Sequence, residues 1–219
     1  MCKAPNSRLQ QRRNCTLTTD SEYKGKSINT NQEKDQSCIE EILETIDAHL
    51  ENMLEKHSRV MTTRFDIRAP QEAKDFTNQQ IGRIIENMGR ALNRKDYSGG
   101  HDPDPRFIAV PENHGRGTHY HCLAIVNGNA IQNRYGIYDL AERYTAKALG
   151  IPQEEAKGLV DYCNQRGENG IMITRNSSDE KENIDQVMHQ ASYLAKKRGK
   201  ENTPKGQHLH VGTRISKKN

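Results

Sequence analysis

The chain has 219 residues, with 33 Lys and Arg against 29 Asp and Glu (net charge +4), and 32% hydrophobic residues including three Phe and no Trp. That is material for one core of modest size with polar segments around it. The longest apolar run, Cys122 to Val126, falls far short of the ~20 residues of a membrane helix, and five cysteines without a CxxC pair argue against a disulfide framework or a four-cysteine zinc site and fit a reducing, cytoplasmic setting.

Residues 1–36 are rich in Asn, Ser, Thr, Gln and charge, carry no apolar secretory segment, and read as a disordered polar arm. Over 37–58, Ile39, Ile42, Leu43, Ile46, Leu50, Met53 and Leu54 recur at helical spacing, which predicts an amphipathic helix with an acidic outer face. Val60 to Arg68 (VMTTRFDIR) is β-branched, partly alternating and stopped by Pro70, and predicts a strand. A second helix presents Ile81, Ile84, Ile85, Met88 and Leu92, and YSGGHDPDP after it reads as a loop. Arg106 to Val110 and His119 to Val126 read as an antiparallel hairpin, with PENHGRGT as the turn. A helix over 138–149, a shorter one over 153–165 and a strand over 170–174 follow. The last helix opens at Asp179 and buries Ile184, Val187, Met188, Ala191, Leu194 and Ala195. Helices and strands mixed without strict alternation predict an α+β domain over 59–215, with 216–219 as a basic tail.

The chemistry concentrates in the hairpin. Alternate strand residues share a face, so His119 and His121 project together while Tyr120 points to the core. Glu112, at the end of the preceding strand, is placed to complete a mixed nitrogen and oxygen site, and His114 in the turn is an alternative third ligand. Two imidazoles and a carboxylate with open positions suit Mg²⁺ or Mn²⁺, and could accept Zn²⁺. A second HxH, His208 and His210, lies among basic residues without a nearby acid and reads as an ordinary strand end.

The last helix adds Tyr193, with Lys196 at i+3 and Lys197 at i+4 on one helical face. A lysine there lowers the cost of a phenolate or holds a phosphate beside the phenol. From Tyr193 onward, eight Lys and Arg stand against one acid, Glu201, an electrostatic footprint for phosphate backbones. Lys197, Arg198, Lys200 and Arg214 are its candidate DNA contacts.

The order strand, Glu112, turn, HxH strand and later YxxK helix resembles the HUH endonucleases of rolling-circle replication. More narrowly, the chain is similar to the inovirus gene-two-like replication proteins of the YagK/YfjJ type found in phages and prophages. The blocks that carry the likeness are RFDIR (64–68), RFIAVPE and THYHCLAIVNG (within 106–128), GLVDYC (158–163), YLAKKRGK (193–200) and HVGTR (210–214). The resemblance implies a central antiparallel sheet flanked by helices, with RFDIR beside the HxH strand. It implies His119, His121 and Glu112 as ligands of Mg²⁺ or Mn²⁺, Tyr193 as nucleophile with Lys196 as helper, and Tyr162 as the alternative nucleophile. The activity implied is site-specific nicking of single-stranded or hairpin DNA at a replication origin through a 5′-phosphotyrosine. With no P-loop in the chain, unwinding and extension fall to a host helicase and polymerase. A non-catalytic prophage DNA-binding or regulatory protein that keeps the fold is the competing expectation.

Overall fold

The computed structural model describes residues 15–31, 34, 36–70, 76–94, 100–114, 117–163, 169–200 and 208–215. Among the described residues the first elements are three two-residue strands, β1 (Leu17–Thr18), β2 (Glu22–Tyr23) and β3 (Lys26–Ser27), and β4 (Cys38–Ile39) leads into helix α1 (Glu40–Lys56). Next come β5 (Arg59–Arg68), α2 (Asn78–Asn93) and the hairpin of β6 (Arg106–His114) and β7 (Gly117–Asn127). Then follow α3 (Tyr135–Leu149), the single turn α4 (Gln153–Ala156), β8 (Val160–Asp161), β9 (Ile171–Thr174) and α5 (Glu180–Ala191). A 3₁₀ turn at Ser192–Ala195 and the short β10 (Val211–Gly212) complete the described elements.

The class is α+β: a six-stranded antiparallel sheet in the order β10-β6-β7-β5-β8, with β9 on the same outer edge of β5 as β8. Period-two alternation divides each long strand between two cores. Val60, Ile108, Val110, Leu123 and Ile125 face α1 and α5, where Ile42, Leu43, Ile46, Leu50 and Met53 are fully buried. Met61, Phe65, Ile67, Ala109, Cys122 and Ala124 face α2 and α3 on the other side. Each fully buried Leu or Ile contributes ~1.5–3 kcal/mol, so both helical layers are held by their stripes. Thr77 and Gln80 cap α2 reciprocally through side chain and backbone. Gly150, at φ 69°, ends α3 in the left-handed region that glycine enters without strain. Among the described residues, no helix is long and apolar enough to cross a membrane.

Two features depart from the sequence expectation. The polar arm is ordered over residues 15–31: Cys15 and Ile28 are buried, β1 pairs with β4, and Lys24 and Lys26 both reach the buried carboxylate of Asp47 on α1. Isolated anchors and ion pairs of this kind leave no periodicity to read. Residues 1–14 and the tail 216–219 lie outside the described residues. Over its described part, 153–163, the expected helix over 153–165 is one turn followed by β8, because Leu159 to Asp161 bond back to β5 instead of continuing the helix; residues 164 and 165 lie outside the described residues.

β8 covers Asp66 and Ile67, and β9 covers Arg59 to Thr62. The gap between them is closed by the buried side chain of Asn169, whose amide pairs with both backbone groups of Arg64.

Candidate metal centre

The three central strands bring the ionisable residues together. The β6–β7 hairpin extends to His114 and Gly117, further than the sequence pattern predicts, so Glu112 stays within its strand directly opposite His119. On the other side of β7, Asp66 faces His121 and Arg68 faces His119. Glu112, His119, His121 and Asp66 therefore share the face that also carries α1 and α5, beyond the end of its apolar core.

His121 is 2% exposed and bridges two carboxylates. Its Nδ1 lies 2.9 Å from Asp66 Oδ1, and its Nε2 forms a close hydrogen bond with Glu112 Oε2. Burial works against the imidazolium, but Asp66 and Glu112 outweigh it, and the His121 pKa is raised. Burial likewise pushes the Asp66 carboxyl up, but the imidazoles of His119 and His121 overcome that and hold it well below the usual carboxylate range. The His119 ring is tilted against His121 at 4.6 Å. Its Nε2 is buried 3.4 Å from Asp66 Oδ2 without a hydrogen bond among the described residues. One ligand atom from each of Asp66, His119 and His121 lies within 4.8 Å of the others, a group that could hold a metal ion. The donor set fits a divalent cation, and the orphaned imidazole nitrogen of His119 is the atom such an ion would satisfy.

The geometric group thus takes Asp66 where the sequence pointed to Glu112. Glu112 stands one step out, on the far nitrogen of His121. The His114 side chain lies outside the described residues. Asp66 left a signal in the sequence, since Asp is depleted in strands and this one interrupts a β-branched run. Its meaning required the register of β5 on β7, which no local pattern supplies.

Tyr193 reaches the same corner. Its ring stands perpendicular to His121 at a centroid distance of 5.0 Å, and the guanidinium of Arg64 lies 4.7 Å from the Tyr193 ring centre. Burial raises the phenol pKa, Glu112 and Asp66 add to the rise, and Arg64 and Arg198 oppose it. Lys196 is elsewhere. Its Nζ donates to Asn29 Oδ1 and Gln36 Oε1, both at 3.1 Å, and its backbone bridges to Cys38. The expectation of a shared face assumed a continuous α-helix. The chain instead tightens to 3₁₀ at Ser192 and becomes extended at Lys196 (φ −50°, ψ 131°), which turns that side chain onto the N-terminal segment.

The expected DNA contacts divide. Arg198 is exposed near Tyr193, and Lys197 is half-buried with its N–H on Ser37 O. Lys200, also an expected DNA contact, is 1% exposed. Gly199, at φ 74°, turns the chain back so that its carbonyl accepts from Asn113 N, and the Lys200 ammonium acts on His121 from within. Arg214 is exposed but follows Thr213, which pairs with Phe107. That is five residues along β6 from Glu112, roughly 17 Å at strand rise. Tyr162 packs against the opposite core, stacked on Tyr138 at 4.4 Å with its hydroxyl donating to Glu142. His210 adjoins β10, and its pKa is lowered by burial.

The YagK/YfjJ C-terminal domain family model matches residues 18–208, from within β1 to just before β10. No curated protein and no solved structure matches the chain.

Proposed function

The chain belongs to the YagK/YfjJ C-terminal domain family, and we propose that it is a metal-dependent, site-specific single-strand DNA nickase of the HUH type that initiates rolling-circle replication. The observation that carries this reading is Tyr193 standing edge-on to His121, at 5.0 Å, beside the His119, His121 and Asp66 donor group. A nucleophile placed against a metal centre is what phosphodiester transfer to a tyrosine requires.

Asp66, His119 and His121 would hold Mg²⁺ or Mn²⁺, which polarises the scissile phosphate and offsets transition-state charge when bound. Glu112 orients His121 through its second nitrogen. Tyr193 starts protonated, because burial and the two carboxylates raise its pKa. As its Oη bonds to phosphorus the phenol loses its proton, the P–O3′ bond breaks, and O3′ leaves to take up a proton as the free 3′-hydroxyl. The product is a 5′-phosphotyrosine, whose bond energy is kept for rejoining by a later 3′-hydroxyl. Lys196 enters this reading as the anchor of the Tyr193 turn. Extension from the 3′-hydroxyl belongs to a host polymerase, with a host helicase unwinding ahead of it.

A covalent-adduct assay tests the proposal. Labelled single-stranded DNA carrying candidate origins is incubated with Mn²⁺ or EDTA and resolved on a denaturing gel. A slow band that needs the metal and disappears in Tyr193→Phe and His121→Ala is the expected result. DNA bound without any adduct would overturn the nickase and leave a non-catalytic DNA-binding protein, while a band surviving Tyr193→Phe would remove Tyr193 as the nucleophile.

A further inference from the structure

Arg64 occupies the stretch of β5 whose outer edge neither β8 nor β9 covers. Asn169 takes over the role of a neighbouring strand there. Its amide nitrogen donates to Arg64 O at 2.6 Å and its amide oxygen accepts from Arg64 N at 2.9 Å, the two bonds a paired residue would make. Asn169 is itself 3% exposed and held by the Tyr138 hydroxyl at 2.8 Å and the Tyr162 carbonyl at 2.6 Å. The backbone of Arg64 is therefore fixed from the opposite core, and its side chain leaves on the metal-centre face, two residues from Asp66.

There the guanidinium lies against the Tyr193 ring, 4.7 Å from its centre. Its Nε is buried and has no hydrogen-bond partner among the described residues. Leaving a buried charged donor unpaired costs more than leaving a neutral one, so this atom marks a place for an acceptor that the chain does not provide. A planar guanidinium fork is matched by a phosphate, which accepts two parallel N–H bonds.

The geometry points to Arg64, set in position by Asn169, as the side chain that grips the oxygens of the scissile phosphodiester beside Tyr193. This rests on the nickase reading. It assigns to a β5 arginine the work that sequence spacing gave to Lys196. Arg64 gives up no proton at any point; it holds the phosphate in line with Tyr193 Oη and balances its charge. Asn169 touches no reacting atom and is a positioning residue.

The test separates this proposal from the reading beneath it. Binding of a short labelled oligodeoxythymidylate is followed by fluorescence anisotropy in EDTA over a range of salt, and adduct formation is timed with Mn²⁺ on the origin DNA. Arg64→Gln should flatten the plot of log affinity against log salt by about 0.7, the loss of one phosphate contact on a single strand. Its adduct rate should fall about a hundredfold. Arg64→Lys should keep the salt slope but recover little of the rate, because a point charge lacks the fork. Arg143→Gln, on α3 at the opposite face, should change neither. Thermal melts establish that each variant is folded, and Arg64→Lys decides the matter if Arg64→Gln is not. If Arg64→Gln keeps both slope and rate while the wild type forms adduct, Arg64 merely packs on Tyr193 and the proposal is overturned with the nickase intact. If the wild type neither binds nor forms adduct, the nickase reading falls and takes this proposal with it.

Discussion

His121 is held between Asp66 and Glu112, and both of its ring nitrogens are engaged. A cation entering this centre displaces a proton, because a ligating imidazole must be neutral. With the His121 pKa raised above its usual 6.5, Mn²⁺ affinity should tighten as pH rises through and beyond that value. Calorimetric titration in buffers of different ionisation enthalpy would count the protons released; a pH-independent affinity would show that His121 is not a ligand. Asp66→Asn should weaken Mn²⁺ binding at least tenfold. Glu112→Gln should weaken it less, since Glu112 acts through His121. The reverse order would restore Glu112 as the direct ligand.

At the scale of elements, what the sequence disclosed follows from how far each signal reaches. The HxH pair was legible because a strand's period of two is local, and the core stripes of α1 and α2 because helical periodicity is. Asp66 and Arg64 were not, since their meaning depends on β5 lying antiparallel to β7 in one register, and a slip of one residue would turn both to the other core. The partners of Lys196 are hidden for a different reason: spacing of i+3 implies adjacency only while the α-helix lasts, and it ends at Ala191, so the side chain reaches Asn29 and Gln36. Replacing Lys196 with Met should therefore lower the unfolding temperature by freeing the turn from Asn29 and Gln36, with Mn²⁺ affinity unchanged. An unaltered melt would leave those hydrogen bonds without a structural role. Asn169→Ala strands the N–H and C=O of Arg64, and at ~1–3 kcal/mol for each buried unsatisfied group should lower urea stability clearly. Thr77→Ala removes a helix cap and should cost about 1 kcal/mol in the same measurement.

The molecule as a whole should be acid-sensitive through a residue outside the candidate metal centre. His49, on α1, is 3% exposed, and burial, with the charges of Arg106 and His210 adding to it, lowers its pKa to about 4 from 6.5. Between those values the unfolded chain binds a proton that the folded chain refuses. The contribution is thus complete above pH 6.5 and is lost as pH falls toward 4, on the order of 3 kcal/mol. Raised and lowered groups at the candidate metal centre also change charge with pH, so the comparison that matters is with His49→Leu, whose stability should decline less steeply in urea unfolding across this window. Parallel curves for the two proteins would assign the acid sensitivity to other groups.

The anchoring of Lys196 to Asn29 joins positions 167 residues apart in the chain. Asp66, His119 and His121 all precede the midpoint of β7, so a nascent polypeptide carries all three donors long before the ribosome reaches Tyr193. The Tyr193 phenol takes its place beside them only after α5 has been made and the turn that follows it has closed onto the segment that carries Asn29. Products of premature termination within that interval would carry the candidate metal donors without Tyr193, so the proposed strand scission would require chains that extend through the closing turn.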